Sequence, residues 1–138
     1  MDTDSNLRPE YGWIPVGPGF RMTAVGEHGW DIIGVPRIWG RRVLESLGTD
    51  TGAVIEDTLG GPRLFWFIGC GRAAAWQLPQ GQGVEVLGEG CRVAIPGRLS
   101  GGQVSWRVLP APDRLLTDAA LLRAALLAVL GPRPEGQR

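Results

Sequence analysis

Lysine is missing from this 138-residue sequence: all fourteen basic residues are arginine, balanced by fourteen acidic residues to a formal charge of zero. That balance argues against nucleic-acid binding by bulk attraction, which normally shows a basic excess. It also singles out no arginine as a phosphate contact, because an arginine-only composition rich in Gly, Ala, Pro and Leu is what a GC-rich genome writes. Histidine occurs once, as His28 in Gly-Glu-His-Gly, which reads as a solvated loop residue and leaves no second histidine for a base or a metal. Cysteine occurs twice, and Cys70 and Cys91 match neither zinc nor redox spacing. They read as reduced, ordinary small core residues. The longest apolar run, Ala119 to Leu130, is interrupted by Arg123 and is too short to cross a bilayer. Met1 to Asn6 lack the basic-then-apolar layout of a secretory signal, so the expectation is a cytoplasmic protein that meets no membrane.

The chain is long enough to bury a core without a metal or a disulfide. Its centre runs from Gly60 to Pro96. Leu64 to Gly69 reads as a buried strand, followed by Val84 to Leu87 and Cys91 to Ile95; Gly88-Glu89-Gly90 between the last two suggests a hairpin. Trp30 to Val35 is a strand stopped by Pro36, and Arg37 to Leu47 repeats apolar residues at helical spacing before Gly48. Ala53 to Ile55 and Val104 to Val108 complete the strands. A last helix follows Thr117 as its cap, with Asp118 in its first turn and Leu122, Ala125, Leu126, Val129 and Leu130 as its stripe.

These elements predict an α+β fold: a mostly antiparallel sheet of five to six strands with two helices on one face. Residues 1–28 read as an extended arm that lays Trp13 and Phe20 on a single domain at 29–131, with a tail at 132–138. Trp39, Trp66 and Trp106 are the expected aromatic core between layers. Alternation puts Phe65 and Phe67 on one face of their strand and Leu64, Trp66 and Ile68 on the other. Both faces are therefore apolar, which calls for burial on both sides or for a face that meets a partner or ligand.

Catalytic chemistry finds little to work with. The carboxylates near strands are Asp31, Glu56, Asp57, Glu85 and Glu89, and charges at strand ends and turns are ordinarily solvated. Gly69-Cys70-Gly71 and Gly88-Glu89-Gly90 follow strands without opening helices, so they are turns and not phosphate cradles.

Gly60-Gly61 with Leu64-Phe65-Trp66-Phe67, then Gly83 to Gly90, Val93-Ala94-Ile95-Pro96 and Trp106, resembles the second half of the bifunctional DNA primase/polymerase N-terminal domain, of the archaeo-eukaryotic primase superfamily. Trp30-Asp31 with Pro36, Gly52-Ala53-Val54 and Leu116-Thr117-Asp118 are also similar to short stand-alone actinobacterial proteins of unassigned function. In the primase-like pattern Arg63 or Leu64 stands where a nucleotide-binding histidine belongs, Glu85 replaces a metal-binding aspartate, and Leu87 an arginine. The paired acids of an earlier strand have no counterpart.

The resemblance therefore implies a degenerate active site and a non-catalytic module for protein–protein interaction or regulation. Its alternative is nucleotide or single-stranded nucleic-acid binding, or residual metal-dependent nucleotidyl transfer. The ligand-binding candidates it implies are Arg63, Glu85, Glu89 and Arg92; no cofactor is expected, except that Asp31 and Glu85 would hold Mg²⁺ if the enzymatic alternative held. A nucleic-acid binder would use Arg63 and Arg92 with an exposed aromatic. A protein-binding or self-associating module would expose apolar area around Phe65, Phe67 or Leu126.

Overall fold

The computed structural model describes residues 11–131; the first ten residues of the expected arm and the expected tail at 132–138 lie outside them. Among the described residues, seven strands and two α-helices follow in the order β1 (Phe20–Ala24), β2 (Trp30–Pro36), α1 (Arg37–Leu47), β3 (Val54–Asp57), β4 (Arg63–Gly69), β5 (Glu85–Leu87), β6 (Arg92–Pro96), β7 (Val104–Val108) and α2 (Ala119–Leu130). Five strands form one antiparallel sheet in the order β5-β2-β4-β3-β7, and β1 pairs with β6 in a separate two-stranded ribbon. The α+β architecture with two helices on one face is thus present.

The sheet is built around β4, whose residues 64–68 are all buried. Its alternation decides both layers. Leu64, Trp66 and Ile68 join Ile33, Val35, Val43, Leu47, Leu122 and Leu126 under the helices. Phe65 and Phe67 face the other way, into a second core with Trp30, Ile32, Ile55, Val93 and Ile95. A sheet apolar on both faces must be covered on both, and here the ribbon and the segment around Ile14 supply the second cover. Helix α1 approaches so closely that a Cβ on Gly40 would stand 2.9 Å from a Leu64 methyl carbon.

That second core explains why the expected hairpin does not form. Gly88 to Cys91 does turn, with the Cys91 amide donating to the Gly88 carbonyl at 3.0 Å and Gly90 at φ 96°. The strands on either side of the turn nevertheless enter different sheets. β5 is a short, mostly exposed edge whose Glu85 pairs with Gly34 of β2. β6 carries Val93, Ala94 and Ile95, all buried, and it is drawn over Phe65 and Phe67 to pair with β1. The gain from covering a large apolar face outweighs local hairpin pairing.

Other expectations are corrected in detail. Within the expected extended arm, residues 20–24 form a strand in register with β6, and Phe20 stays exposed while Trp13 and Ile14 pack on the core. Trp106 belongs to the ribbon-side core and not between sheet and helices; its indole N–H donates to the Pro96 carbonyl at 2.9 Å and so ties ribbon to sheet. The cap of α2 falls one residue later than expected. The Asp118 carboxylate accepts from the Leu121 amide, whereas Thr117 is buried and its hydroxyl accepts from the Gly52 amide at 2.8 Å. Both cysteines are free, yet Cys70 is exposed and is no core residue.

Candidate functional site

The four residues suggested by the sequence do not converge. Arg63 opens β4 and lies beside Glu85, the guanidinium 3.9 Å from the carboxylate, while also donating to the Gly83 carbonyl at 2.9 Å. Both side chains are substantially exposed, so the pair contributes little. Glu89 lies beyond the opposite end of β5, where its backbone backs onto Gly26. Arg92 opens β6 in the ribbon, opposite Ala24. The Arg63–Glu85 pair, Glu89 and Arg92 thus sit at three separate places in the fold.

The two metal candidates are separated by the sheet itself. Asp31 shares the face of Ile33 and Val35, under the helices, whereas Glu85 pairs with Gly34 on the Phe65 face. Asp31 instead accepts the Gly71 amide at 2.9 Å. Glu56 is also committed, accepting from Arg37 at 3.0 Å and from Arg107 at 3.3 Å, and Asp57 caps the turn at Leu59. Among the described residues no three His, Cys, Asp or Glu side chains gather as a metal would need. The surfaces expected of an interaction module are closed as well: Phe65, Phe67 and Leu126 are all buried.

What the fold does assemble lies at the Trp30 end of β2. Gly26 and Gly29, at φ 98° and 90°, turn the chain from the ribbon into β2 and leave His28 exposed at the turn. The Gly26 amide donates to the Trp30 carbonyl at 3.1 Å and closes this loop. A turn from Tyr11 to Ile14 then lays Trp13 over the sheet. Trp13 stacks on His28 at 5.3 Å and 23°, and sits 5.1 Å from Trp30. Trp30 meets Phe67 edge-on at 4.8 Å and 82°, and Phe67 in turn stacks on Trp106 at 5.9 Å. These separations are those at which rings attract beyond simple burial.

The far wall comes from the segment before α2. Leu116 bridges to Phe67, the Thr117 amide donates to the Phe67 carbonyl at 2.8 Å, and Ala53 donates to the Leu115 carbonyl at 3.1 Å. An open cleft of about 320 Å³ remains, lined by Tyr11, His28, Trp30, Asp113, Leu115 and Leu116. That size is at the small end of ligand sites.

One buried donor in this lining lacks a partner, and one exposed carboxylate is unpaired by protein groups. Trp30 is 1% exposed, and its Nε1–H has no acceptor among the described residues. A buried donor left so costs roughly 1–3 kcal/mol. Asp113 is exposed, and no hydrogen bond or ion pair engages its carboxylate among the described residues.

Trp13 against the domain, Trp30 at a strand start and His28 in a loop are all legible in the sequence. The approach of Asp113 and Leu116 to them is not, because that link runs through the pairing of Leu116 with Phe67.

Close by, Cys70 ends up at the mouth of the 69–71 turn. Desolvation pushes its thiol above the usual range, and the Asp31 and Glu89 carboxylates push the same way, while the thiol itself donates to the Gly26 carbonyl at 3.9 Å. It is thereby kept protonated, the opposite of a reactive thiolate. No protein-family model, curated protein or solved structure matches this chain.

Proposed function

We propose that this chain works by binding and not by catalysis, and that it receives a small, ring-bearing molecule in the aromatic cleft. The observation that carries the reading is the convergence of Tyr11, His28 and Trp30 on an open space with Leu115 and Leu116 opposite. A flat ligand gains apolar contact and ring stacking there. The separation of Asp31 from Glu85 and of Arg63 from Arg92 supports binding over phosphoryl transfer, which asks for convergent charges. A non-catalytic module agrees with the degenerate primase-like pattern in the sequence, although the cleft lies away from the residues of that pattern.

A mixture of small aromatic fragments added to ¹⁵N-labelled protein tests this directly. Amide and indole resonances of Tyr11, His28, Trp30, Asp113 and Leu116 are expected to shift. Shifts confined to the helix side, at Trp39 and Leu121, or no shifts at all, would overturn the assignment.

A further inference from the structure

We infer that the ligand of this cleft is a small arylalkylamine that also carries an oxygen or other acceptor on its ring. The inference rests on the binding function proposed above and adds the polarity of the ligand to it. Three features of the lining supply it, and each constrains a different part of the molecule.

The first is shape. The cleft holds about 320 Å³, and its aromatic lining favours a single flat ring with a short substituent over a large or branched ligand. The second is the Trp30 indole. It is a donor only, its nitrogen is buried with no partner among the described residues, and Trp30 is one of the residues that line the cleft. An acceptor on the ligand relieves the cost of leaving that N–H unpaired. The third is charge. Asp113 is the one carboxylate in the lining, no basic side chain among the described residues pairs with it, and no arginine contributes to the wall. A ligand amine supplies the missing partner, whereas a carboxylate or phosphate there meets repulsion.

The Trp30 nitrogen is closed to solvent in the empty form. Its neighbour His28 is an exposed side chain on the glycine-flanked turn, with its ring 6.2 Å from that of Trp30. In the inferred binding mode the exposed His28 ring moves aside so that a ligand acceptor reaches the indole. Trp13 is packed on the core beside both rings.

Four compounds separate these requirements: tyramine, phenethylamine without the ring hydroxyl, 4-ethylphenol without the amine, and 4-hydroxyphenylacetate with the charge reversed. Calorimetry gives the affinities, and the Trp30 indole N–H resonance, assigned by its loss in Trp30→Phe, reports the hydrogen bond. Tyramine is expected to bind at ~0.1–1 mM, the range a ligand of this size reaches in an open site. Phenethylamine is expected to bind about five- to tenfold more weakly and to leave the Trp30 indole signal nearly unmoved. Loss of the amine should cost about two- to fivefold, and Asp113→Asn should cost tyramine the same while leaving 4-ethylphenol unchanged.

Equal affinities across all four compounds, with shifts still in the cleft, would overturn this inference and leave the binding function standing. Failure of all four, together with failure of the wider set of aromatic fragments, would overturn both. Asp113 is exposed and makes no hydrogen bond or ion pair among the described residues, so its substitution reads binding without disturbing the fold.

Discussion

Gly52 runs beneath Leu115 so closely that a methyl group on it would stand 2.6 Å from the Leu115 carbonyl oxygen and 2.7 Å from that of Leu116. The same residue donates its amide to the Thr117 hydroxyl, and neighbouring Thr51 accepts from the Trp66 indole at 3.1 Å. Backbone therefore lies directly on backbone where the wall of the cleft meets the sheet. The contact fixes where Leu115 and Leu116 stand opposite Trp30.

Gly52→Ala forces that wall outward. Overpacking of this kind costs roughly 1–3 kcal/mol, more than the gain from restricting the unfolded chain. Urea unfolding should show a lowered midpoint with an unchanged slope, and ring fragments should bind the variant more weakly. A midpoint equal to that of the parent protein would show that the 113–117 segment adjusts freely.

Trp106→Phe keeps a ring against Phe67 but removes the donor to the Pro96 carbonyl. The buried acceptor is left unpaired, at a cost of about 1–3 kcal/mol. The loss should be local. Amide exchange of β1 and β6 is expected to quicken while that of β4 stays slow, since β4 keeps both of its neighbours. Uniform quickening across both sheets would mean that the ribbon and the sheet open together.

The two ion-pair sites should behave differently. Glu56 joins α1, β3 and β7 through Arg37 and Arg107 and is mostly buried, so Glu56→Gln is expected to lower stability by about 1 kcal/mol. Glu85→Gln, at the exposed 3.9 Å pair with Arg63, should change it by less than about 0.5 kcal/mol. Chemical denaturation at low and high salt separates them, because salt screens the exposed pair more. A larger loss at Glu85 would restore Arg63 and Glu85 as a site of consequence.

Cys70 carries a pH dependence of definite sign. Desolvation first, then Asp31 and Glu89, holds its thiol pKa above that of the unfolded chain. The folded form thus keeps its proton to higher pH. Its contribution to stability is complete below the ordinary thiol pKa of ~8.5 and is lost as pH rises through the folded value. A disulfide reagent should react with folded Cys70 along a pH profile displaced upward, and Asp31→Asn should return the profile toward that of the unfolded chain. A profile that coincides with that of the unfolded chain would contradict desolvation and carboxylate repulsion at this thiol.

Much of this arrangement is legible in the sequence because the signals are local. Arg37 to Leu47 has helical spacing between Pro36 and Gly48, and those are its limits in the fold. Leu64 to Ile68 alternates without a polar residue, which requires cover on both faces, and both are covered. Tertiary demand decided the rest. The run from Val84 to Ile95 reads as a hairpin from its turn alone, yet the Phe65 and Phe67 face pulls its second strand away to β1. Phe20 to Ala24 reads as part of an arm because the first 28 residues are rich in Pro, Gly and charge; it becomes a strand by pairing with β6. The cleft depends on contacts between residues near 11–30 and residues 113–117, and no motif spans that distance.

The most direct test of ligand binding at Trp30 is a crystal structure of the protein soaked with tyramine. Ring density is expected against Trp30, with the phenolic oxygen about 2.7–3.2 Å from Nε1 and the amine on the Asp113 side. Density elsewhere, or a ligand in the cleft with the Trp30 N–H still unpaired, would contradict it.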